Sequence, residues 1–150
     1  MLKIADIMTR DVFTLPATCR ADRAAWELAL RGYTGAPVRD DAGRLVGVLS
    51  RSDLADPERN EGGLQQREVQ ELMTPAMFTL PPTAPVMQAI RLMVREGIHR
   101  VIVMDDERTL VGIVTSSDVL TALARGEIGD APVRAGSFQA STGAEAPAQA

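Results

Sequence analysis

The chain contains one cysteine and one histidine in 150 residues, and aromatic residues make up 3% of it. Cys19 has no second cysteine with which to form an internal disulfide, so we expect a reducing, cytoplasmic environment. A single histidine and the lack of a cysteine cluster exclude the common zinc sites, and we expect no bound metal. The scarcity of aromatic residues predicts a core built from aliphatic side chains.

The chain also lacks an excess of positive charge and any long apolar run. Sixteen Lys and Arg stand against twenty Asp and Glu, a net charge of -4, which argues against a general binder of nucleic acid or membrane surfaces. No apolar stretch approaches the roughly 20 residues that a membrane helix needs. The N-terminal sequence MLKIADIMTRD has none of the regions of a signal peptide. We therefore expect a soluble protein with no membrane or nucleic-acid partner.

Sequence motifs of the common enzyme classes are missing as well. The chain has no phosphate-binding loop of the Walker type and no dinucleotide fingerprint. A Ser-His-Asp arrangement would have to use His99, and no nucleophile elbow accompanies it. We predict that the protein is not an enzyme and requires no cofactor.

What the sequence does contain is an internal duplication. Residues 6–54 align with residues 71–119 without a gap. The two copies share FTLP at 13–16 and 78–81, and LVG at 45–47 and 110–112. Both end in a hydroxyl residue followed three positions later by aspartate, in LVGVLSRSD and LVGIVTSSD. An ungapped match of this length indicates that one structural unit occurs twice.

Each copy predicts the same order of elements. A few helical residues (IADIM, VQELM) precede a short strand (VFTL, MFTL), and then comes a helix that ends at Gly32 or Gly97. In the second copy this helix has Thr83 as its expected N-cap and Val94 in its expected buried stripe. Two strands joined by a polar turn follow, and a last helix opens with Ser and Asp. The prediction is an α+β fold in which the first two strands are joined by a right-handed parallel crossover.

The boundaries follow from composition. We assign residues 1–56 to the first repeat, 57–67 to a polar linker, 68–126 to the second repeat and 127–150 to a disordered tail rich in small residues. A unit of about 50 residues buries too little surface to be stable alone. The two repeats are therefore expected to pack together around a pseudo-two-fold axis.

The order of these segments resembles a tandem pair of cystathionine-β-synthase (CBS) domains, also called a Bateman module. The resemblance rests on MT…VFTLP and MT…MFTLP, on GYTGAPV and GIHRVIV, and on GVLSRSD and GIVTSSD, and it covers residues 3 to 125. It implies a regulatory module that binds AMP, ADP or ATP, or S-adenosylmethionine, in clefts between the repeats. It also implies a homodimer and an effector protein that responds to the ligand.

The resemblance further implies two clefts, each combining first-strand residues of one repeat with the hydroxyl-aspartate segment of the other. The first cleft is expected to contain Met8, Val12, Phe13, Tyr33, Thr34, Gly35, Ala36, Ile113, Thr115, Ser117 and Asp118. The second cleft is expected to contain Met73, Met77, Phe78, Ile98, Val48, Ser50, Ser52 and Asp53.

His99 and Arg100 have no basic counterparts in the first repeat, where Thr34 and Gly35 align with them. The resemblance implies that such a His-Arg pair contacts phosphates, and arginine suits phosphate because it donates in bidentate fashion. We assign both residues to the first cleft, which we expect to be the better nucleotide site, with the second cleft sharing one of them. A solvated strand start, or an ion pair with a nearby acid, is the alternative.

Two interpretations of the hydroxyl-aspartate segments remain open at this point. A carboxylate accepts two hydrogen bonds, and a ribose diol offers two donors. Ser, Thr or Asp at the start of a helix is equally explained by capping of the helix. The second interpretation leads to another function, a ligand-free module for dimerisation and protein interaction. In that setting the exposed position expected for Trp26 favours a contact between subunits.

Overall fold

The computed structural model describes residues 1–75 and 77–129, so most of the expected disordered tail lies outside the described residues. Helices and strands follow the predicted order in both repeats. The helices are α1 (Ile4–Ile7), α2 (Ala21–Arg31), α3 (Arg51–Ala55), α4 (Val69–Leu72), α5 (Val86–Glu96) and α6 (Ser116–Ala124). The strands are β1 (Leu15–Pro16), β2 (Gly35–Arg39), β3 (Leu45–Ser50), β4 (Thr79–Leu80), β5 (Arg100–Met104) and β6 (Leu110–Thr115).

Each repeat contains a three-stranded mixed sheet. In the first, β1 runs parallel to β2 and β2 runs antiparallel to β3; β4, β5 and β6 repeat this arrangement. The first strand of each sheet pairs over two residues only, which is shorter than the predicted VFTL and MFTL strands. It is short because the chain before it leaves its own sheet and pairs with the other repeat, as Thr9 does with Ile113. The predicted α+β fold with two packed repeats is confirmed.

The two long helices turn small or aliphatic residues towards the sheets. Ala21, Ala24 and Leu28 are buried in α2, and Val86, Ala89 and Met93 occupy similar places in α5.

Two details of α5 differ from the prediction. Its N-cap is Pro85 rather than Thr83, so the helix starts later than expected. Val94 is 79% exposed, because Met93 already occupies the buried face and the next residue of a helix points about 100° away.

The short helices α1 and α4 pack on the repeat to which they do not belong by sequence. Ile4 of α1 lies in a buried cluster with Val101, Val103 and Val114 of the second repeat. The amide N–H of Ile4 donates to the carbonyl of Ala84 at 2.8 Å. Symmetrically, α4 contributes Val69 and Leu72 to the core of the first repeat. Each hydrophobic core is therefore completed by the other half of the sequence.

A second pair of crossed contacts lies closer to the centre. Thr74 and Val48 exchange two backbone hydrogen bonds of 2.9 Å, and Thr9 and Ile113 do the same. The chain comes so near at this point that a Cβ on Gly47 would meet the carbonyl oxygen of Thr74 at 2.6 Å. The glycine of the repeated LVG motif is thus required by the approach of the other repeat.

Candidate functional site

β3 and β6 each end in a hydroxyl that caps the following helix. Ser50 Oγ accepts a hydrogen bond from the amide of Asp53, and Thr115 Oγ1 accepts one from the amide of Asp118. The aspartates reciprocate: Asp53 Oδ2 accepts from the Ser50 amide at 2.9 Å, and Asp118 Oδ2 accepts from the Thr115 amide at 2.8 Å. These are capping boxes, so one oxygen of each carboxylate holds the local structure.

The remaining oxygens of the two aspartates have different neighbours. Asp118 Oδ1 accepts a hydrogen bond from Thr9 Oγ1 at 3.3 Å. Asp53 Oδ1 instead lies 3.6 Å from Nη1 of Arg59, an exposed arginine of the linker. The repeats are therefore equivalent in their capping and different in what surrounds the second carboxylate oxygen.

A cavity of about 280 Å³ opens beside Asp53, between the β3–α3 junction of the first repeat and the starts of β4 and β5 in the second. Its polar wall carries Ser50, Ser52 and Asp53 of the first repeat. Its apolar wall combines Val48 of the first repeat with Met77, Phe78, Ile98 and Ile102 of the second, which also contributes the basic residues His99 and Arg100. The complete lining is Val48, Ser50, Ser52, Asp53, Thr74, Met77, Phe78, Gly97, Ile98, His99, Arg100 and Ile102.

Arg100 has the least ordinary environment in this cavity. Its guanidinium lies against Gly35, where a Cβ would overlap it, and donates a hydrogen bond to Thr34 Oγ1. Burial lowers the pKa of the Arg100 guanidinium from its ordinary value, and the negative charge of Asp53 opposes that shift. A guanidinium carries five N–H donors, so the single hydrogen bond to Thr34 leaves Arg100 with further donors at the cavity wall.

The structure brings together most of the residues expected in the second cleft. Met73 is the exception, because its side chain packs against Gly47 rather than along the cavity. Thr74, Gly97 and Ile102 line the cavity and were not anticipated. Thr74 had a signal in the sequence, since Met-Thr is repeated at 8–9 and 73–74.

The residues expected in the first cleft have more varied positions. The Met8 side chain is buried and lies close to Gly112, and Ala36 is buried in the core of the first repeat. The Phe13 ring centroid lies 6.2 Å from that of Tyr33. The others are Val12, which is half-buried; Ile113, which pairs with Thr9; Thr115, which caps α6; Ser117, which is exposed; and Thr34 and Gly35, which contact Arg100.

His99 and Arg100 were assigned mainly to the first cleft. Both line the cavity beside Asp53, and Arg100 also donates a hydrogen bond to Thr34 of the first cleft. The reason is geometric: the start of β5 faces the β3–α3 junction across the boundary between the repeats.

Two further observations bear on function. Within residues 1–75 and 77–129, no three side chains among His, Cys, Asp and Glu are grouped closely enough to hold a metal ion. None of the helices in the same part of the chain combines the length and the apolar character needed to cross a bilayer.

Comparison with protein families matches the sequence model of the CBS domain to residues 4–57 and 69–125. Among curated proteins, the chain is 29% identical over 119 residues to the uncharacterized protein MJ1232 of Methanocaldococcus jannaschii. It is 36% identical over 123 residues to the A-adding tRNA nucleotidyltransferase of Aquifex aeolicus. The matches cover 79% and 81% of this chain but only 38% and 14% of the two relatives.

Solved structures with the same architecture include the protein CBSX2, seen in complex with AMP. Its TM-score is 0.75 at 29% identity, and the match covers 85% of this chain and 99% of that one. A structure of CBSX2 from Arabidopsis thaliana has a TM-score of 0.75 at 27% identity and covers 83% of this chain and 96% of that one. A CBS domain pair of the protein MJ0100, in complex with 5′-methylthioadenosine and S-adenosyl-L-methionine, has a TM-score of 0.73 at 28% identity and covers 85% and 98% of the two chains.

Proposed function

This chain belongs to the CBS domain family, and on that premise we propose that it is a regulatory module that binds an adenosine nucleotide, with AMP as the first candidate, in the cavity beside Asp53. The observation that carries the proposal is that one cavity contains a carboxylate, a half-buried arginine and an apolar wall. Its volume of about 280 Å³ lies just below the range of about 300–1,000 Å³ that small-molecule sites occupy.

The apolar wall suits a nucleobase. Val48, Ile98 and Ile102 are branched aliphatic side chains, and Met77 and Phe78 add a flexible thioether and a ring. Such groups bind flat heteroaromatic rings through dispersion and the hydrophobic effect, while backbone groups read the edge of the base. Phe78 is 37% exposed, so its ring remains accessible from the cavity.

Asp53 suits a ribose. Its Oδ2 already accepts the Ser50 amide and hydroxyl, but each carboxylate oxygen has two acceptor positions, and Oδ1 has only the 3.6 Å approach of Arg59. A ribose hydroxyl can donate to Oδ1 without disrupting the capping box. The capping and binding interpretations of this residue are therefore compatible.

Arg100 and His99 suit a phosphate. A partly buried guanidinium binds an anion more strongly than a fully exposed guanidinium does, because water screens the electrostatic interaction less. Ser52 adds an exposed hydroxyl close to Ser50, with 2.7 Å between the two Oγ atoms. Among the described residues that line the cavity, Asp53 is the one acidic side chain, so a phosphate meets little repulsion.

The ligands in the two related structures support the adenosine part of the proposal. AMP, 5′-methylthioadenosine and S-adenosyl-L-methionine share adenosine and differ in charge. For this chain we rank AMP, ADP and ATP above S-adenosylmethionine, because Arg100 disfavours a cationic sulfonium. We propose no catalytic role, and we propose that an effector protein responds when the ligand changes the packing of the repeats.

Isothermal titration calorimetry tests this function. AMP, ADP, ATP, adenosine, 2′-deoxy-AMP and S-adenosylmethionine should be titrated separately into the full chain. The proposal expects binding of AMP that is stronger than that of adenosine and of 2′-deoxy-AMP, because each of these lacks one of the recognised groups. An absence of heat and of thermal stabilisation with every nucleotide at millimolar concentration rejects it.

A second candidate, dimerisation, is favoured by exposed apolar side chains on two helices that contact each other, α5 and α6. Val94 is 79% exposed and Leu120 is 64% exposed, and Met87 and Leu123 are also exposed. Exposed apolar residues on two helices that pack together are candidates for a protein interface. We propose that this surface joins two copies of the chain, and light scattering at several concentrations tests the proposal.

A further inference from the structure

A groove separate from the cavity runs between β4 and α5 on the second repeat. Its volume is about 510 Å³, and among the described residues it shares Met77 and Phe78 with the cavity. The strand side is Met77, Phe78, Thr79 and Leu80, and the helix side is Gln88, Arg91, Leu92 and Arg95. β4 is also an edge strand of its sheet.

The duplication provides an internal comparison for this groove. In the first repeat the equivalent ring is Phe13, and the Arg31 guanidinium covers it at 4.1 Å from the ring centroid. Glu27 holds Arg31 by an ion pair and also binds Arg23 at 3.1 Å. Hydrogen bonds from both arginines lower the pKa of Glu27 from its ordinary value even though partial desolvation acts the other way. A charged cluster therefore covers the aromatic ring in the first repeat.

The second repeat lacks this cover because its residues differ at the positions concerned. Leu92 stands where the first repeat has Glu27, and Glu96 stands where it has Arg31. Glu96 pairs with its neighbour Arg95 at 2.7 Å instead of lying over Phe78. Phe78 remains 37% exposed beside an open groove.

The rim of the groove also changes character between the repeats. Arg91 and Arg95 replace Trp26 and Leu30, so two exposed cations border an apolar floor. In a chain with a net charge of -4, this is a local reversal of sign. The ion pair between Arg95 and Glu96 is exposed, and such pairs contribute about 0–1 kcal/mol to stability. Arg95 can therefore leave Glu96 and pair with an acidic residue of a partner.

We propose that this groove, formed by residues 77–80 and the 88–95 face of α5, docks an extended peptide segment of a partner protein in which acidic and apolar residues alternate. Four residues of helix separate the two arginines by about 6 Å along the axis. Two residues of an extended chain span about 6.7 Å, so acids at alternate positions match that spacing. The intervening side chains then point the opposite way, towards Met77, Phe78 and Leu80 on the strand side. Open edge strands are common docking sites for extended peptides.

Single-stranded nucleic acid is the competing occupant, because it also uses arginine and aromatic side chains. Such binding generally needs a longer positively charged groove and several stacking rings. The described residues of this groove include two arginines and one aromatic ring; the others are Met77, Leu80 and Leu92, which are apolar, and Thr79 and Gln88, which are polar and uncharged. Its dimensions and charge therefore favour a short peptide.

Fluorescence polarisation with labelled ten-residue probes tests the proposal on the full chain. The main probe alternates Glu and Leu. The controls are a peptide that alternates Lys and Leu, a peptide with the same Glu and Leu in two blocks, and a labelled single-stranded oligonucleotide. Three double variants are compared with the parent chain: R91E/R95E, L92E/E96R, which copies the cover of the first repeat, and E27L/R31E, which removes that cover from the first repeat.

The alternating Glu-Leu probe is expected to bind the parent chain at least about ten-fold more tightly than it binds R91E/R95E or L92E/E96R. E27L/R31E is expected to retain the affinity within about two-fold, since its substitutions lie in the first repeat and are not among the residues that line the groove. AMP binding by R91E/R95E should be unchanged, which keeps this test independent of the proposed nucleotide site. Failure of the probe to bind, equal binding by the groove variants, or preference for the blocked peptide, the Lys-Leu peptide or the oligonucleotide overturns the proposal.

Discussion

Arg100 donates a hydrogen bond to Thr34 across the boundary between the two repeats, although 66 positions separate them in sequence. Thr34 aligns with His99, so the bond connects the starts of two equivalent strands. Asp53 acts on the same guanidinium from the other side of the cavity. Arg100 thus contacts Thr34 of the first prospective cleft while it lines the cavity of the second. An anion in the cavity would compete with Thr34 for the N–H donors of Arg100.

Replacement of Arg100 by Ala should weaken AMP binding and leave adenosine binding nearly unchanged. A hydrogen bond to a charged group contributes about 1.5–3 kcal/mol, which corresponds to a loss of about ten-fold to a hundred-fold in affinity. Calorimetry with both ligands measures the difference. Arg91→Ala is the control, because Arg91 lies outside the cavity and should bind AMP normally. Equal losses for AMP and adenosine would show that Arg100 acts on the base or the ribose instead.

Asp53→Ala should weaken AMP binding by at least about ten-fold, and Asp118→Ala should have a smaller effect. The two substitutions remove equivalent capping interactions, so they should lower the thermal stability by similar amounts. Their difference in affinity therefore isolates the ligand contact. Our sequence-based preference for the first cleft gave Asp118 the larger effect; the cavity beside Asp53 leads us to propose the opposite order. A greater loss at Asp118 would return the site to the first cleft.

Gly47→Ala should destabilise the fold by about 1–3 kcal/mol through overpacking. Its Cβ would meet a backbone oxygen at 2.6 Å, which cannot move without shifting Thr74. Gly112→Ala should cost less, because the nearest atom at 2.6 Å is the flexible Met8 sulfur and the Thr9 oxygen lies at 3.0 Å. Gly129→Ala, with nothing within 4 Å, is the neutral control. Urea unfolding measures all three, and equal stabilities would refute the close approach.

Val94→Glu combined with Leu123→Glu should convert a dimer into a monomer if the α5–α6 surface joins two copies. Both side chains are exposed, so the variant should fold normally, and burying two carboxylates in an apolar interface is strongly unfavourable. Light scattering coupled to gel filtration gives the mass. A parent chain that is monomeric at every concentration, or a variant that stays dimeric, contradicts this use of the surface.

The sequence predicted those parts of the fold that depend on local pattern. The spacing of Ala21, Ala24 and Leu28 indicates the buried face of α2, and the repeated LVG and SD segments locate a strand and a helix start. It could not indicate which core each short helix completes. α1 and α4 are amphipathic in either position, and only the tertiary arrangement decides that Ile4 packs with the second repeat.

The sequence indicated which types of residue would line the candidate site better than it indicated how the two clefts differ. The alignment of His99 and Arg100 with Thr34 and Gly35 shows that the repeats differ there. Where the Arg100 side chain lies depends on the space that Gly35 leaves and on the charge of Asp53, which are tertiary properties. We also did not predict that the Arg31 guanidinium covers the Phe13 ring. The alignment does show that Arg31 of the first repeat corresponds to Glu96 of the second.

Titration of AMP into protein with isotope-labelled isoleucine methyl groups, followed by NMR, tests the central claim most directly. Ile98 and Ile102 line the cavity beside Asp53, whereas Ile113 belongs to the other prospective cleft. We predict concentration-dependent shifts of the Ile98 and Ile102 methyl signals that saturate, with Ile113 much less affected and Arg100→Ala greatly reducing the response. Saturating shifts centred on Ile113, or no shifts at millimolar AMP, would contradict the assignment of the nucleotide site.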